Sequence, residues 1–419
     1  MKILALSEHF RLTRGGSVTY VRNVCRQLAE QGHEVYLVTE QDSQTYQISK
    51  HWQHFEGYLI RSANPNSSQD VGTRVGVRKF RWEVQAQIND LLSEVQPDVV
   101  HVLQGMYLAR ILAVVPKNYP RIWTIQNVPP QEYAFTQFES FSALNKAVKY
   151  LYFELARSRH SKTLRELPYD RLICVSEQTR RFAVAAGAPP DRTVVIPDGI
   201  NPEMFLPQFV DRETRSTLSS GTPLIVSAAG VAPSKGQSDV IEAMATIIEH
   251  FPHAHYVNIG AVRDARYFEA VQSRVKELQL SDHCKFLGHV TLEEIRLYYN
   301  ACDLYVQPSH QEGFCMAALE AVSCGKPIVG TRTGAIPDFV EAAKAGITVE
   351  PNRPEELARA MLKALESQSR QDAEAQHAYV ADNYSWYAVA QKTVALYDDV
   401  RLRHSASPLE RANEIESIV

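Results

Sequence analysis

The chain has 419 residues, 45% apolar and 22% charged, enough for two or more domains with sizeable cores. Its 44 basic and 48 acidic residues leave a formal net charge of −4, which gives no overall reason to expect a nucleic-acid binder. The six cysteines are scattered without a CxxC pair, so neither a zinc site nor a disulfide framework is indicated, and a reducing, cytoplasmic setting fits best.

The opening MKILALSEHF has a short apolar run that Glu8 and His9 stop. It is too short for the apolar region of a signal peptide and predicts a first β-strand over 2–7. No stretch approaches the ~18 apolar residues of a membrane span. Beyond Gly15-Gly16, Val18, Val21, Val24, Cys25 and Leu28 recur at helical spacing. They predict a helix from Ser17 to Gln31, with Gly32 as its C-terminal glycine. Short runs rich in β-branched residues follow at 34–39, 97–103, 121–126, 171–176 and 193–199, with helical stretches between most of them. The polar stretch 203–222, with Pro207 and Gly221, is expected to be a linker.

A second series of strand runs covers 223–230, 254–260, 284–290, 303–309, 326–332 and 346–350. Helical segments lie between them around 238–250, 265–279, 291–300, 314–325 and 354–367. Alternation of this kind predicts parallel sheets covered on both faces, hence an α/β protein. The expected division is 1–205 and 206–385, then an amphipathic helix over 386–403 and a polar tail over 404–419.

One segment, HQEGFCMAALEAVSCGKP, places Glu312 and Glu320 on either side of seven uncharged residues. A strand ends at Pro308-Ser309, and a helix is expected soon after Gly313. The N–H groups of Gly313, Phe314, Cys315 and Met316 would then be unpaired donors suited to phosphate. Glu320, about two turns along, could accept from the hydroxyls of a ribose, while Glu312 would face what lies beyond the phosphates. On spacing alone the plainer explanation is favoured: one helix-terminal carboxylate and one exposed glutamate. A second strand-to-helix turn, VAPSKGQ, adds Lys235-Gly236, and a lysine there can neutralise phosphate. Two such turns, with Gly15-Gly16 in the first domain, are better explained together, by a ligand in a cleft between domains.

At these residues the sequence resembles the retaining glycosyltransferases of family 4, which have the GT-B fold. The likeness runs through GGSVTYVRNVCRQLAEQGHEVYLVT, DRLICVSEQTRRFAVAAGAPPDRTVVIPDGI, VAPSKGQSDVIEAM and KFLGHVTLEEIRLYYNACDLYVQPSHQEGFCMAALEAVSCGKPIVGT. YSW at Trp386 is similar to the start of the family's final helix, which returns to the first domain. The resemblance implies two Rossmann-like αβα domains facing a donor-binding cleft and a nucleotide diphosphate sugar, UDP- or GDP-linked, as donor. Glu312 would contact the sugar near its reacting centre, and Gly313, Phe314 and Cys315 would present backbone to sugar and diphosphate. Glu320 would hold the ribose, and Lys235 the leaving diphosphate. Gly15 and Gly16 would close over it, and the turn near Val290 would meet the base. No cofactor is implied, and no metal is expected, because no His/Asp/Cys cluster is visible and Lys235 with helix amides takes that place.

Three positions depart from the family pattern. Gly230 stands where an arginine is usual, and Arg14, Arg263 and Arg332 are candidates for that charge. Gln126, in TIQN, stands where a histidine is common beside the sugar; it can hydrogen-bond a hydroxyl but cannot titrate. Cys315 replaces a common glycine. A non-catalytic nucleotide-sugar-binding relative and a nucleotide-sugar epimerase are the competing readings. The acceptor is expected to be a hydroxyl of a sugar, a lipid-linked group or a small molecule. The stretch 141–165 carries Lys146, Lys149, Arg157, Arg159, Lys162 and Arg165 with aromatic residues. It reads as a core-packed helix with a solvated basic face or as a peripheral contact with an anionic membrane.

Overall fold

The structure, a computed structural model, describes residues 1–8, 16–40, 51–64, 74–127, 143–367 and 372–405; of residues 17, 63–64, 74–77, 143–153 and 156 it describes the backbone only. The chain divides into two compact units. One takes Met1–Val128, Leu155–Asp198 and Trp386–Val419, the other Pro129–Glu154 and Gly199–Ser385.

The first unit is built on β1 (Lys2–Ser7), α1 (Gly16–Glu30), β2 (Glu34–Glu40), β3 (Gln53–Phe55), β4 (Tyr58–Asn64), α2 (Arg74–Val95), β5 (Val99–Gln104) and β6 (Arg121–Ile125). It continues with the latter part of α3 (Ala143–Glu166), then β7 (Arg171–Cys174), α4 (Glu177–Ala185) and β8 (Thr193–Val195). The sheet order is β3-β4-β2-β1-β5-β6-β7-β8. Only β3 runs antiparallel to its neighbour. Central strands such as KILALS are buried on both faces, which is why they read as continuous apolar runs. Phe80, Val84, Ile88 and Leu91 pack α2 onto this sheet.

The second unit carries α5 (Arg212–Leu218), β9 (Leu224–Ala228), α6 (Gln237–His250), β10 (His255–Ile259), α7 (Ala265–Glu277), β11 (Cys284–Gly288) and α8 (Leu292–Ala301). There follow β12 (Leu304–Gln307), α9 (Met316–Ser323), β13 (Ile328–Thr331), α10 (Ile336–Ala342), β14 (Gly346–Val349), α11 (Pro354–Glu366) and α12 (Ala373–Tyr384). Its strands are all parallel, in the order β11-β10-β9-β12-β13-β14. Numbered within the unit this is 3-2-1-4-5-6, the dinucleotide-fold order, with its reversal point between β9 and β12. Helix starts follow local chemistry: Thr291 and Glu294 form a capping box for α8, and Asp264 caps α7 through the Tyr267 N–H (3.0 Å).

The unit boundary lies at Asp198–Gly199, ahead of the expected 205/206. The stretch expected to be a linker is part of the second unit. Asp211 caps α5, and Arg215 on α5 pairs with Asp303, donates to the Ala301 carbonyl (3.1 Å) and reaches Thr222 (3.0 Å). The final helix α13 (Trp386–Ser405) belongs to the first unit, packing Trp386 near Tyr20 with ring centroids 6.2 Å apart. The tail after Ser405 lies outside the described residues.

Candidate active site

In the second unit, β9 and β12 leave the reversal point in adjacent turns, and glycine lets them meet. Gly236 ends the β9 turn at φ 64°, a left-handed conformation that favours glycine. A Cβ there would lie 2.1 Å from the Pro308 carbonyl oxygen. The His310 N–H donates to the Ser234 carbonyl (2.9 Å), and His310 Nε2 pairs with Asp239 Oδ2 (2.9 Å). The β12 turn is thus docked on the β9 turn by its backbone.

This docking brings Lys235 and Glu312 together. Lys235 Nζ donates to Glu312 Oε1 at 2.7 Å, with side chains 28% and 10% exposed. Glu312 also accepts from Ser309 Oγ (2.7 Å) and, at 3.5 Å, from Gln307 Nε2. Behind it runs a buried chain of donors: the Ala228 N–H to Tyr305 OH (3.2 Å), Tyr305 OH to Gln307 Oε1 (2.7 Å), and Gln307 Nε2 to Ser309 Oγ (2.8 Å). Each member is satisfied by the next, so the carboxylate is held from behind while the lysine covers its outer side. Burial works against the Lys235 ammonium, but the Glu312 carboxylate outweighs it, and its pKa is raised. The lysine stays charged and is placed where an anion could take over part of its pairing.

The helix after Glu312 begins later than expected. Cys315 has φ 88°, left-handed, and stands before Met316 as the first residue of α9. The helix-end donors left open are therefore those of Met316 and Ala317, with the Ala318 N–H directed at the Cys315 sulfur, rather than those of Gly313, Phe314 and Cys315. Glu320 is the fifth helical residue, about 6 Å along the axis, one turn closer than expected. It accepts from Tyr299 OH (2.9 Å), and burial pushes its carboxyl up to about 7, with Tyr299 partly opposing. The Phe314 side chain is 3% exposed and packs with Phe339 and Tyr384, at centroid distances of 6.1 and 5.9 Å. It fastens the turn to the core. Val290 follows β11, at the same C-terminal edge of the sheet but on its outer strand.

Other expected residues lie in the first unit. Gly16 opens α1, and Gly15 lies outside the described residues. Gln126 Nε2 donates to Asp198 Oδ1 (3.1 Å), a buried carboxyl that burial raises to about 7 while the amide partly offsets it. Sequence reading missed Asp198, Tyr299, Tyr305, Gln307 and Ser309. Polar residues in otherwise apolar runs, such as Gln307 in DLYVQPS, were the available signal. Among the described residues no group of three or more His, Cys, Asp or Glu is placed to hold a metal, and no helix is long and apolar enough to cross a membrane.

Two family descriptions match the chain in succession: Glycosyltransferase Family 4 over residues 14–204 and Glycosyl transferases group 1 over residues 211–386. A phosphatidylinositol N-acetylglucosaminyltransferase component of Arabidopsis thaliana is 28% identical over 58% of this chain and 52% of its own length. A D-inositol 3-phosphate glycosyltransferase of Corynebacterium jeikeium is 28% identical over 49% of this chain and 51% of its own. The chain thus matches about half the length of these curated relatives. Among solved structures, sucrose-phosphate synthase from Thermosynechococcus elongatus superposes with TM-score 0.74 at 20% identity, covering 95% of this chain and 98% of that one. Anabaena HepE, solved with UDP and glucose, superposes with TM-score 0.70 at 17% identity, covering 95% and 100%. With both family matches falling on the two αβα units and the strand-order reversal carrying Lys235 and Glu312, the chain belongs to the family 4 glycosyltransferases of the GT-B fold.

Proposed function

We propose that this protein is a retaining glycosyltransferase that moves a hexosyl group from a UDP- or GDP-sugar to a hydroxyl acceptor. The observation that carries this is the Lys235–Glu312 pair at the reversal point of the second sheet. When the donor reacts, the bond between the anomeric carbon and the phosphate oxygen breaks, and its electron pair goes to the leaving diphosphate. Lys235 and the N–H groups at the start of α9 stabilise that growing charge as fixed donors. The acceptor oxygen attacks from the same face and passes its proton to the departing phosphate oxygen, so configuration is kept. Glu312, held by Ser309 and Gln307, fixes the sugar, and Glu320 accepts from the ribose. No metal is needed in this reading, since the lysine and the helix amides carry the charge.

HepE has been solved with UDP-glucose, and one relative from Corynebacterium glutamicum is named for GDP-mannose, which supports both donor classes. Names of several relatives contain inositol, which makes inositol phosphate and phosphatidylinositol the first acceptors to try. The reading includes contact with an anionic membrane through 141–165, where Leu155 is exposed beside Arg157 and Arg159. Failure to pellet with anionic vesicles at low salt would remove that element.

The test is a thermal-shift screen with UDP, GDP, ADP and CMP and their sugars, followed by turnover with and without acceptor. A selective shift and acceptor-dependent transfer with retained anomeric configuration are expected. Sugar release or epimerisation without an acceptor would instead support an epimerase. Binding without turnover would support a non-catalytic relative.

A further inference from the structure

Lys235 is largely neutralised by Glu312, so a diphosphate arriving there meets little net positive charge from that pair. A second cation stands beside it on a different turn. The β9 and β10 turns run together: the Val231 N–H donates to the Ala261 carbonyl (2.9 Å), and the Arg263 and Asp264 N–H groups both donate to the Val231 carbonyl (3.0 and 3.2 Å). This pins Arg263 just before the Asp264 cap of α7. Its side chain lies across Gly230. A Cβ at Gly230 would come within 2.6 Å of Arg263 Nε and 2.9 Å of its Cδ, and within 4 Å nothing but Arg263 is among its three nearest atoms.

The guanidinium is exposed and, among the described residues, makes no hydrogen bond or ion pair. It is close enough to Lys235 to act against that ammonium's charge. Arg332, another arginine of the unit, is paired with Glu350 at 3.5 Å, and Arg14 lies outside the described residues.

We propose that Arg263 is a second donor-binding cation, reaching the diphosphate of the nucleotide sugar from the β10 turn through the space that Gly230 leaves open. The inference rests on the donor reading above and deepens it. A guanidinium suits the role because its planar fork matches two phosphate oxygens and stays charged. Being exposed, it gives up little hydration before binding. The absence of a side chain at position 230 and the course of Arg263 are then two parts of one arrangement.

Calorimetry with UDP, GDP, uridine and guanosine tests this on the wild type, Arg263→Ala, Arg263→Lys and the double variant Gly230→Arg with Arg263→Ala. The nucleotide that binds the wild type should weaken about 10-fold in Arg263→Ala, and less in Arg263→Lys. The matching nucleoside should bind all variants alike. The double variant should regain affinity, because Gly230 has no left-handed φ and the alanine frees the space. Melting without ligand should not change, since Arg263 is exposed. Equal nucleotide affinity in the wild type and Arg263→Ala overturns the inference and leaves the donor reading standing, as does an equal loss for the nucleoside. A wild type that binds neither UDP nor GDP overturns both.

Discussion

The two sheets reverse their strand order at matching places, between β1 and β5 in one unit and between β9 and β12 in the other, yet the groups gathered there differ in sign. In the first unit Ser7 Oγ donates to Gln104 Oε1 (3.1 Å), and Glu8 Oε1 accepts the Leu108 N–H (2.8 Å). The space a Cβ of Gly105 would fill holds the Glu8 carboxyl. In the second unit the matching spaces give way to the β12 turn at Gly236 and to Arg263 at Gly230. Topology makes a crevice twice. Side-chain charge then decides that one suits an anion, while the other presents carboxylate and amide oxygens suited to hydroxyl donors.

The largest effect should come from cutting the second crevice loose from its core. Phe314→Ala removes a ring buried among Phe339 and Tyr384 and should cost about 3–5 kcal/mol of stability in denaturant melts. A loss below 1 kcal/mol would mean the turn is not held by that ring.

Lys235→Ala should slow transfer roughly 10- to 100-fold while changing folding less, because Glu312 keeps Ser309 and Gln307. An unchanged rate would remove the lysine from the leaving-group role and make the two crevices equivalent.

Both units should also titrate, for the same reason of burial. Glu320 is raised from 4.5 to about 7. The folded state therefore holds a proton that the unfolded state has released. The stability this gives is complete below pH 4.5 and is lost as pH rises to about 7. Ribose hydroxyls pair best with the ionised form, so nucleotide affinity should climb by up to about tenfold per pH unit below 7 and then level. Glu320→Gln should flatten both profiles, and an unchanged affinity profile would detach Glu320 from the ribose.

Asp198 in the first unit follows the same sign over the window from 3.8 to about 7. Asp198→Asn, which keeps an oxygen for Gln126, should be nearly neutral below pH 3.8, increasingly stabilising from there to about 7, and should remove that slope from melts. No effect on nucleotide binding is expected, which separates this carboxyl from Glu320. The smallest effect is expected from chelation: EDTA should leave nucleotide affinity unchanged in titrations, and a loss would overturn the metal-free reading.

Most strands of both sheets were legible because burial on both faces demands unbroken β-branched runs. The edge strand β3 and its neighbour β4 were not, since QHF is short and YLIRSAN mixes polar and apolar residues. Helix α2 was legible only in retrospect: Phe80, Val84, Ile88 and Leu91 keep helical spacing, but its first turns, RVGVRKFRW, are crowded with basic residues. The late start of α9 could not be read, because GFCMAAL is a plausible helix from Gly313 onward and a cysteine at positive φ leaves no sequence mark. Lys235, Glu312 and Glu320 were singled out by type and spacing, and their roles came from the family resemblance. The buried Tyr305–Gln307–Ser309 support was hidden because its members are brought together only by strand pairing and the turn beyond it.

The return of the chain at Ser385–Trp386 has a consequence for synthesis. Helix α13 completes the first unit, seating Tyr397 OH 2.6 Å from the buried His101 Nδ1 and Trp386 near Tyr20. During translation that helix emerges only after residues 199–385 have been made, a delay on the order of tens of seconds at about 5–20 residues per second. Until then the first half carries an uncovered apolar surface, and the second unit can fold ahead of the domain whose code precedes it. A nascent chain stalled before Trp386 should therefore engage chaperones through its first unit, and release once α13 clears the ribosome.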